Sequence, residues 1–135
     1  MDIKAACVIG WPVEHSRSPL IHNDWIRQFG LQAEYRREAV PPDRFADFVA
    51  HLAEHGYVGG NVTVPHKEAA LALSRPDALA QTVGAANTLW LDGGVLRATN
   101  TDVEGFVASL EAAVPGWAQE VERAVVLGAG GAARG

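Results

Sequence analysis

Three side chains that could bind or protonate a small polar molecule follow one another closely, at Asn61, Thr63 and Lys67. Val62 and Val64 alternate with the polar residues, which predicts a short strand with one apolar face. A proline follows and ends the strand, because proline has no N–H for a sheet ladder. Open α/β sheets bind ligands at the carboxyl ends of their strands. An amide, a hydroxyl and an amine at such an end suit a small polyhydroxylated molecule.

Lys67 is the candidate general acid/base. The chain has eleven basic residues, and only Lys4 and Lys67 among them are lysines. A partly buried lysine can lose its proton, whereas an arginine in practice cannot. Asp102 lies in the first turn of a predicted helix and could pair with Lys67, to hold a hydroxyl and move its proton. The structural alternatives are a solvated lysine at a helix start and a carboxylate favoured by the helix dipole.

Two serines precede another predicted helix. Ser16 and Ser18 could present two hydroxyls and free backbone N–H groups to an anion. The sequence Ser18-Pro19 predicts an N-cap followed by a first-turn proline, and this structural role would account fully for Ser18. Ser16 has no such explanation. The nearby histidines His15 and His22 are more consistent with hydrogen-bonded structural groups than with catalysts.

Two glycine-containing segments could allow a ligand to approach the backbone. In the segment Gly84–Thr88, small residues precede the polar pair that begins with Asn87, although the same residues would suit a tight turn. The apolar segment Ala124–Leu127 predicts a strand, and it is followed by Gly-x-Gly-x-x-Ala from Gly128 onward. That spacing is the dinucleotide-binding fingerprint, but it is weak by itself because the rest of its strand–helix–strand unit is absent.

Strands and helices alternate along the chain. Strands are predicted over residues 3–10 and 33–40, and a hairpin over 87–99 turns at Asp92-Gly93-Gly94. Helices are predicted from Ser18, with an apolar face of Ile21, Trp25 and Phe29, and from residue 101, with a capping box of Thr101 and Glu104. An apolar stripe at Phe45, Phe48, Val49 and Leu52 predicts a further amphipathic helix, and the helix from residue 101 has its own stripe at Val103, Phe106, Val107 and Leu110.

Composition excludes several classes of function. The 135 residues are 48% apolar, and a net charge of −5 with interspersed signs gives no surface for nucleic acid or membrane. The N-terminus lacks a signal-peptide pattern. The single cysteine, Cys7, lies in an apolar stretch and is expected as a buried thiol, which fits the reducing cytoplasm. The five histidines show no metal-ligand spacing, so we expect no metal.

Together these motifs resemble the shikimate dehydrogenase family, in the family's order and over nearly all of the chain. The matching residues are His15-Ser16, Ser18-Pro19 and His22-Asn23; Asn61-Val62-Thr63, Pro65 and Lys67; Gly84-Ala85 and Asn87-Thr88; Asn100-Thr101-Asp102 and Gly105-Phe106; and Gly128 to Ala132. The resemblance implies reversible, NADP-dependent reduction of 3-dehydroshikimate to shikimate in aromatic amino acid biosynthesis. It implies that Ser16 and Ser18 hold the substrate carboxylate, that Asn61, Thr63, Asn87 and Asp102 line the ring hydroxyls, and that Lys67 is the acid/base coupled to Asp102. The cofactor pyrophosphate would lie on Gly128, Ala129, Gly130, Gly131 and Ala132.

The expected fold is α/β: a mostly parallel open sheet with helices on both faces, one antiparallel hairpin, and the start of a Rossmann domain at the C-terminus. We place a shikimate-binding catalytic domain at residues 1–121, with a helix over 101–114 leading onward, and the first strand and glycine loop of the NADP-binding domain at 122–135. The family's chain continues further, so we expect this chain to be a fragment that is inactive alone. The expected partner is the small-molecule substrate, with neither nucleic acid nor membrane, and a homodimer is left open.

Three other functions fit parts of the pattern. The first is a quinate/shikimate dehydrogenase that uses NAD, since the residues that decide this lie beyond Gly135. The second is a non-catalytic shikimate- or quinate-binding domain on the same fold, because fold alone does not fix function. The Lys67–Asp102 pair argues against it, since a pure binder needs no such pair. The third is another two-domain dehydrogenase, which would leave Ser16 and Ser18 unexplained.

Overall fold

A computed structural model describes residues 3–134. The described chain has six strands: β1 (Lys4–Gly10), β2 (Ala33–Ala39), β3 (Tyr57–Val62), β4 (Arg75–Pro76), β5 (Thr88–Asp92) and β6 (Val95–Thr99). Its helices are α1 (Ser18–Gln28), α2 (Pro42–Ala50), α3 (Lys67–Ala72), α4 (Ala78–Val83), α5 (Asp102–Ala113), α6 (Trp117–Glu120) and α7 (Gly131–Arg134). The α/β class and the hairpin between β5 and β6 are confirmed.

The six strands form one sheet in the order β2-β1-β3-β5-β6-β4. The pairs β2–β1, β1–β3 and β6–β4 are parallel, whereas β3–β5 and β5–β6 are antiparallel. Strand β6 therefore runs in the same direction as β1 and β3. As a result, the carboxyl ends of β1, β3 and β6 and the amino end of β5 lie at one edge of the sheet.

One face of the sheet carries most of the core. Cys7 and Ile9 of β1 pack there with Phe45 and Val49 of α2 and with Leu52, and each of these side chains is buried. The predicted amphipathic stripe of α2 is therefore confirmed. The apolar burial on this face supplies the main stabilisation of the sheet.

The other face of the sheet is covered less completely. Helix α1 packs there through Ile26 against a small cluster that contains Val8 and Tyr35. The predicted apolar face of α1 is not buried in the core: Trp25 and Phe29 are 51% and 73% exposed. Ile21 is also exposed. Trp25 and Phe29 instead line, with Ile26, an open cleft between α1 and this face of the sheet.

Three other local predictions were wrong. Val64 is 59% exposed, since β3 ends at Val62 before the apolar alternation continues. The segment Ala124–Leu127 is not a strand in the described chain, because no neighbouring strand pairs with it there, and its exposure, 94% at Leu127, follows from this missing partner. The stripe of α5 is not buried either, with Phe106 at 62% exposure. The division into domains at residues 121 and 122 remains a prediction.

The buried imidazole of His66 joins α3 to the end of β2. Its ring stacks on Phe45 with centroids 4.3 Å apart, and its Nε2–H donates to the carbonyl oxygen of Val40 at 2.7 Å. Burial lowers the pKa of His66 from its ordinary value of 6.5, and the Val40 hydrogen bond opposes this shift only partly. The folded chain therefore holds a neutral histidine that the unfolded chain would protonate below pH 6.5.

The first prediction concerns this histidine. The folded pKa is depressed, so His66 contributes stability that is fully present above pH 6.5 and is lost as the pH falls below that value. The free energy of unfolding should therefore fall on acidification, with a contribution from His66 of up to about 1.4 kcal/mol per pH unit. In His66→Phe this contribution disappears, and chemical denaturation between about pH 6.5 and pH 5 should show a shallower slope.

His51→Phe is the matched control. The hydrogen bond to the Asp47 carbonyl raises the pKa of this exposed histidine, so its contribution has the opposite sign. Its removal should make the loss on acidification slightly steeper. An unchanged or steeper slope in His66→Phe would contradict the role given to its buried imidazole.

Candidate functional site

The predicted site residues meet at one edge of the sheet. Asn61 and Thr63 lie at the carboxyl end of β3, and Lys67 is the first residue of α3. Asn87 precedes β5, whose amino end is at this edge, and Asp102 begins α5 just after β6. The loop after β1 is held beside the loop after β3, because a backbone N–H of the first donates to a carbonyl of the second at 3.0 Å. The antiparallel β5 is what brings residues from both halves of the chain together.

Lys67 and Asp102 form an ion pair. The Lys67 Nζ donates to Asp102 Oδ2 at 2.5 Å, and the two side chains are 14% and 35% exposed. The expected proximity of the two groups is therefore confirmed. The amine and the carboxylate of such a partly buried pair are close enough for both to contact the hydroxyl group of a bound molecule and its proton.

The side chain of Asn87 fixes the position of Asp102. Its Nδ2 donates to Asp102 Oδ1 and to Thr101 Oγ1, both at 2.9 Å. Its Oδ1 accepts from the Thr101 N–H at 2.9 Å and from Thr88 Oγ1 at 2.9 Å. Each carboxylate oxygen of Asp102 thus has a donor, one from Asn87 and one from Lys67. Asn87 is buried, and its polar atoms are largely taken by protein groups.

The start of α5 differs from its prediction. Thr101 is at the N-cap position, but its side chain makes no capping hydrogen bond, so the Thr101–Glu104 capping box was wrong. The hydroxyl of Thr101 instead bonds Asn87. Asn100 replaces the cap, since its Oδ1 accepts from the Asp102 N–H at 2.9 Å. Its Nδ2 donates to a carbonyl of the segment before β5 at 3.0 Å, so this buried amide holds the first turn of α5 to that segment.

The two serines have the reverse of their predicted structural roles. Helix α1 begins at Ser18 with Arg17 at the N-cap position and no side-chain capping bond, so the prediction of Ser18 as the N-cap was wrong. Ser16 Oγ accepts weakly from the Ser18 N–H at 3.4 Å and donates to Ser18 Oγ at 3.3 Å. The local turn is therefore made by Ser16. Both serines are partly exposed at the N-terminus of an eleven-residue helix, and their hydroxyls face each other.

His22 and Arg37 hold this serine turn. The Nδ1–H of His22 donates to the Ser18 carbonyl at 2.9 Å, which confirms a structural role for this histidine. The guanidinium of Arg37 donates twice to the Ser16 carbonyl, at 3.1 and 2.6 Å. Arg37 thus brings a positive charge to the serine turn from β2, which favours an anion there.

Thr63 packs against the end of β1. Its N–H donates to the Ile9 carbonyl at 2.9 Å. A Cβ added at Gly10 would lie 2.5 Å from Thr63 Cγ2, so the close approach of the two strand ends requires glycine at that position. The Thr63 hydroxyl makes no side-chain hydrogen bond among the described residues and is partly exposed, so it is available to a ligand.

The glycine-rich segment lies next to Lys67. Gly128 has φ of +119°, a value that favours glycine, and a Cβ at Gly130 would meet nothing within 4 Å. Gly131 begins α7, and a Cβ there would lie 3.0 Å from Lys67 Cβ. A cleft of about 690 Å³ between α5 and the C-terminal segment is lined by Lys67, Asp102, Phe106, Val125, Val126, Leu127, Ala132 and Ala133.

Sequence reasoning gave no site role to four residues at this edge. Tyr35 and Thr88 are hydrogen-bonded to Asn61, Asn100 is bonded to the Asp102 N–H, and His66, which precedes Lys67, is bonded to the Val40 carbonyl. Thr88 and Asn100 adjoin named candidates, so adjacency to a polar motif was an available signal. Tyr35 and His66 each bond a partner 26 residues away, and no spacing in the sequence shows this.

Neither a membrane-spanning helix nor a metal-binding cluster occurs in residues 3–134. No helix in that range is long and apolar enough to cross a membrane. The same range contains no group of three or more histidine, cysteine or acidic side chains that could hold a metal ion.

Comparison with known proteins gives consistent matches. Residues 8–89 match the family described as "Shikimate dehydrogenase substrate binding domain". A shikimate dehydrogenase (NADP(+)) of Rhodopseudomonas palustris strain BisB18 is 60% identical over 132 residues, which is 98% of this chain and 47% of the relative. The chain spans about half the length of the curated relatives it matches.

Solved structures give the same likeness. The shikimate 5-dehydrogenase of Thermus thermophilus in complex with shikimate superposes with a TM-score of 0.85 and 36% identity, over 97% of this chain and 49% of that chain. A shikimate dehydrogenase in complex with NADP+ superposes with a TM-score of 0.81 and 36% identity, over 97% of this chain and 45% of that chain.

Proposed function

Because the chain belongs to the shikimate dehydrogenase family, we propose that it is the substrate-binding half of an enzyme that reversibly reduces 3-dehydroshikimate to shikimate with NADPH. The observation that carries this proposal is the Lys67–Asp102 ion pair, which lines the cleft beside the glycine-rich segment. A binding domain without chemistry has no need of a partly buried amine next to a carboxylate, whereas reduction of a ketone requires a proton donor at its oxygen.

The proposed chemistry divides between cofactor and chain. NADPH supplies the hydride that adds to the carbonyl carbon. Lys67 gives a proton to the carbonyl oxygen as the hydroxyl forms, and it takes that proton back in the reverse direction. Asp102 keeps the ammonium in place and accepts a hydrogen bond from the same hydroxyl. Because Asn87 and Lys67 both donate to Asp102, this carboxylate is held in one orientation before substrate arrives.

The proposed substrate contacts extend along the sheet edge. Ser16 and Ser18 bind the substrate carboxylate through their hydroxyls and the free N–H groups of α1, and the charge of Arg37 supports an anion there. Asn61 and Thr63 contact ring hydroxyls from the end of β3. Asn87 is part of the same site, and its bonds to Thr101 and Asp102 support a role in shaping the hydroxyl-binding groups.

The glycine-rich segment fits the first contact of a dinucleotide. The positive φ of Gly128 and the open space beside Gly130 leave the backbone accessible to a phosphate. In the proposal, the pyrophosphate of NADP lies on Gly128, Ala129, Gly130, Gly131 and Ala132. Lys67 contacts this segment and Asp102 at once, so the proton donor lies between the two proposed binding regions.

We also propose a cytoplasmic location. The support is the free thiol of Cys7, which is fully buried, and whose pKa is raised to about 12 by that burial. An unpaired cysteine in the core is typical of proteins from reducing compartments.

The second prediction concerns the 135-residue chain by itself. It should bind shikimate weakly, fail to bind NADPH, and catalyse no turnover, because only the first residues of a nucleotide site are present. Isothermal titration with each ligand and a spectrophotometric assay of NADPH check this.

Ser18→Ala should weaken shikimate binding in the same titration. Ser74→Ala should not, because the Ser74 hydroxyl bonds the Ala70 carbonyl at the end of α3 and is not part of the proposed site.

Three results of the assay and the titration would each contradict part of the proposal. Steady dehydrogenase activity from chains confirmed by mass to end at Gly135 would contradict the predicted inactivity. Binding of quinate in preference to shikimate would contradict the proposed substrate. Shikimate affinity that is unaffected by Ser18→Ala would remove the serine turn from the binding site.

The third prediction is for a full-length enzyme that carries this chain. Lys67→Ala should lower kcat by roughly 10²–10⁴-fold, the usual contribution of a general acid/base, with a small effect on KM. Steady-state kinetics with 3-dehydroshikimate measure both constants. The control is Lys4→Ala, because Lys4 is the other lysine of the chain and is exposed at the start of β1. A kcat for Lys67→Ala equal to that of Lys4→Ala would exclude Lys67 from the proton transfer.

A further inference from the structure

Tyr35 lies on β2, outside the residues assigned to the site. Its side chain is buried, and its hydroxyl donates to Asn61 Oδ1 at 2.6 Å. Asn61 is the neighbour of Thr88 across the β3–β5 ladder. A buried tyrosine hydroxyl could have been satisfied by any carbonyl, so its use of a candidate substrate-binding amide connects β2 to the site.

The donor and the acceptor of each hydrogen bond between Tyr35 and Asp102 can be assigned, because some of the groups involved can only donate or only accept. The Thr101 N–H can only donate, so the atom of Asn87 that it contacts at 2.9 Å is the oxygen, Oδ1. The nitrogen of Asn87 therefore faces Asp102, whose carboxylate can only accept. Thr88 donates its hydroxyl hydrogen to Asn87 Oδ1 at 2.9 Å, which leaves the Thr88 oxygen as an acceptor.

The same reasoning fixes Asn61. Its Nδ2 donates to the Thr88 Oγ1 at 3.2 Å and lies 3.5 Å from the Asn87 carbonyl oxygen, which can only accept. Its Oδ1 therefore faces Tyr35, whose hydroxyl must donate. Every bond in the series points the same way. Tyr35 donates to Asn61, Asn61 donates to Thr88, Thr88 donates to Asn87, and Asn87 donates to Asp102.

We propose that Tyr35 and Thr88 are positioning residues for the Lys67–Asp102 pair, acting through the one-directional hydrogen-bond chain Tyr35–Asn61–Thr88–Asn87–Asp102. Tyr35 donates to Asn61 Oδ1 and Thr88 donates to Asn87 Oδ1. These two hydroxyls thereby hold each amide in the orientation that the Thr101 N–H, the Asn87 carbonyl and the Asp102 carboxylate set. The importance of this chain for catalysis rests on the proposed function. Its existence as a coupled unit does not, because aligned hydrogen bonds polarise and strengthen one another in a buried setting.

Tyr35 is itself held firmly. Asn23 of α1 makes two bonds to the Tyr35 backbone, donating to its carbonyl at 2.8 Å and accepting from its N–H at 2.9 Å. The ring of His22 stacks on the Tyr35 ring with centroids 4.2 Å apart. Burial raises the pKa of Tyr35, which keeps its hydroxyl protonated as a donor. Because His22 also bonds the Ser18 carbonyl, its stacking on Tyr35 places the serine turn next to the first residue of the hydrogen-bond chain.

The remaining hydrogen-bonding capacity of Asn61 bears on ligand selection. Tyr35 donates to one of the two acceptor positions of Asn61 Oδ1, and the two Nδ2 hydrogens face the Thr88 hydroxyl at 3.2 Å and the Asn87 carbonyl at 3.5 Å. The position left open is the second acceptor position of Oδ1, which selects a ligand group that donates, as a hydroxyl does and a ketone oxygen does not.

The test is side-chain amide NMR of the 135-residue chain, with no ligand present. Tyr35→Phe keeps the ring and its stacking but removes the donor. In this variant the Asn61 amide signals should shift, and the signals of Asn87 Nδ2, three bonds along the chain, should also shift and exchange with solvent faster, by up to about tenfold. Tyr57→Phe is the matched control, because Tyr57 is the second of two tyrosines and its hydroxyl donates to Glu38 instead.

Thr88 variants test the same chain at its centre. Thr88→Val should change the Asn87 signals, and Thr88→Ser should restore them. Adding Tyr35→Phe to Thr88→Val should then produce no further change at Asn87, because the connection is already broken. A purely structural effect of Tyr35 would add to that of Thr88. The Thr88 variants test the proposal independently of Tyr35→Phe. If Thr88→Val leaves the Asn87 signals unchanged, the proposal is overturned.

A shikimate titration of the same samples separates this inference from the proposed function. Coupled amide signals without shikimate binding would support the hydrogen-bond chain and contradict the proposed substrate. Shikimate binding, together with Asn87 amide signals that do not change in Tyr35→Phe, would support the proposed substrate and overturn the hydrogen-bond chain. With both correct, Tyr35→Phe should lower shikimate affinity by about tenfold, whereas Tyr57→Phe should leave it unchanged.

Discussion

The buried side-chain amide of Asn87 joins the segments on which the site depends. It accepts from the Thr101 N–H and from the Thr88 hydroxyl, and it donates to the Asp102 carboxylate. A buried amide with unmatched polar atoms would cost free energy, so each of these partners is held to a narrow position. The orientation of Asp102, and through it the ion pair with Lys67, follows from this one requirement.

The sheet topology makes that arrangement possible. In an all-parallel sheet, the amino end of every strand would lie at the opposite edge from the strand ends that bind ligands. Here β5 runs against β3 and β6, so Asn87 at its amino end reaches the carboxyl ends of both neighbours. Residues 26 and 15 positions apart along the chain thereby become hydrogen-bond partners.

Much of this could be predicted from the sequence. The stripe of α2 is a local pattern with a period of 3.6, and Asp92-Gly93-Gly94 is a local turn signal, so both were found. The Lys67–Asp102 pair was predicted from chemistry, since a lone internal lysine and a helix-start carboxylate both follow strands that share an edge. The resemblance of the motifs to one family then joined them into a single site.

The failures have a common cause. Thr101 was expected to cap its own helix, but Asn87 competes for its hydroxyl, and no local rule contains that competitor. Ser18 was expected to cap α1, yet the turn at Ser16 places Ser18 already inside the helix. Ala124–Leu127 has a strand composition but no pairing partner in the described chain, and a strand exists only with one. Tyr35 carried no sequence signal, because its role depends on a contact to Asn61.

The most direct test of the binding site is a crystal structure of the 135-residue chain soaked with shikimate. The shikimate carboxylate should lie within hydrogen-bond distance of the Ser16 and Ser18 hydroxyls. A ring hydroxyl should lie about 3 Å from both the Lys67 Nζ and the Asp102 carboxylate. Shikimate bound elsewhere, or bound at this edge with its ring hydroxyls turned away from Lys67 and Asp102, would contradict the proposal that this pair acts on the substrate.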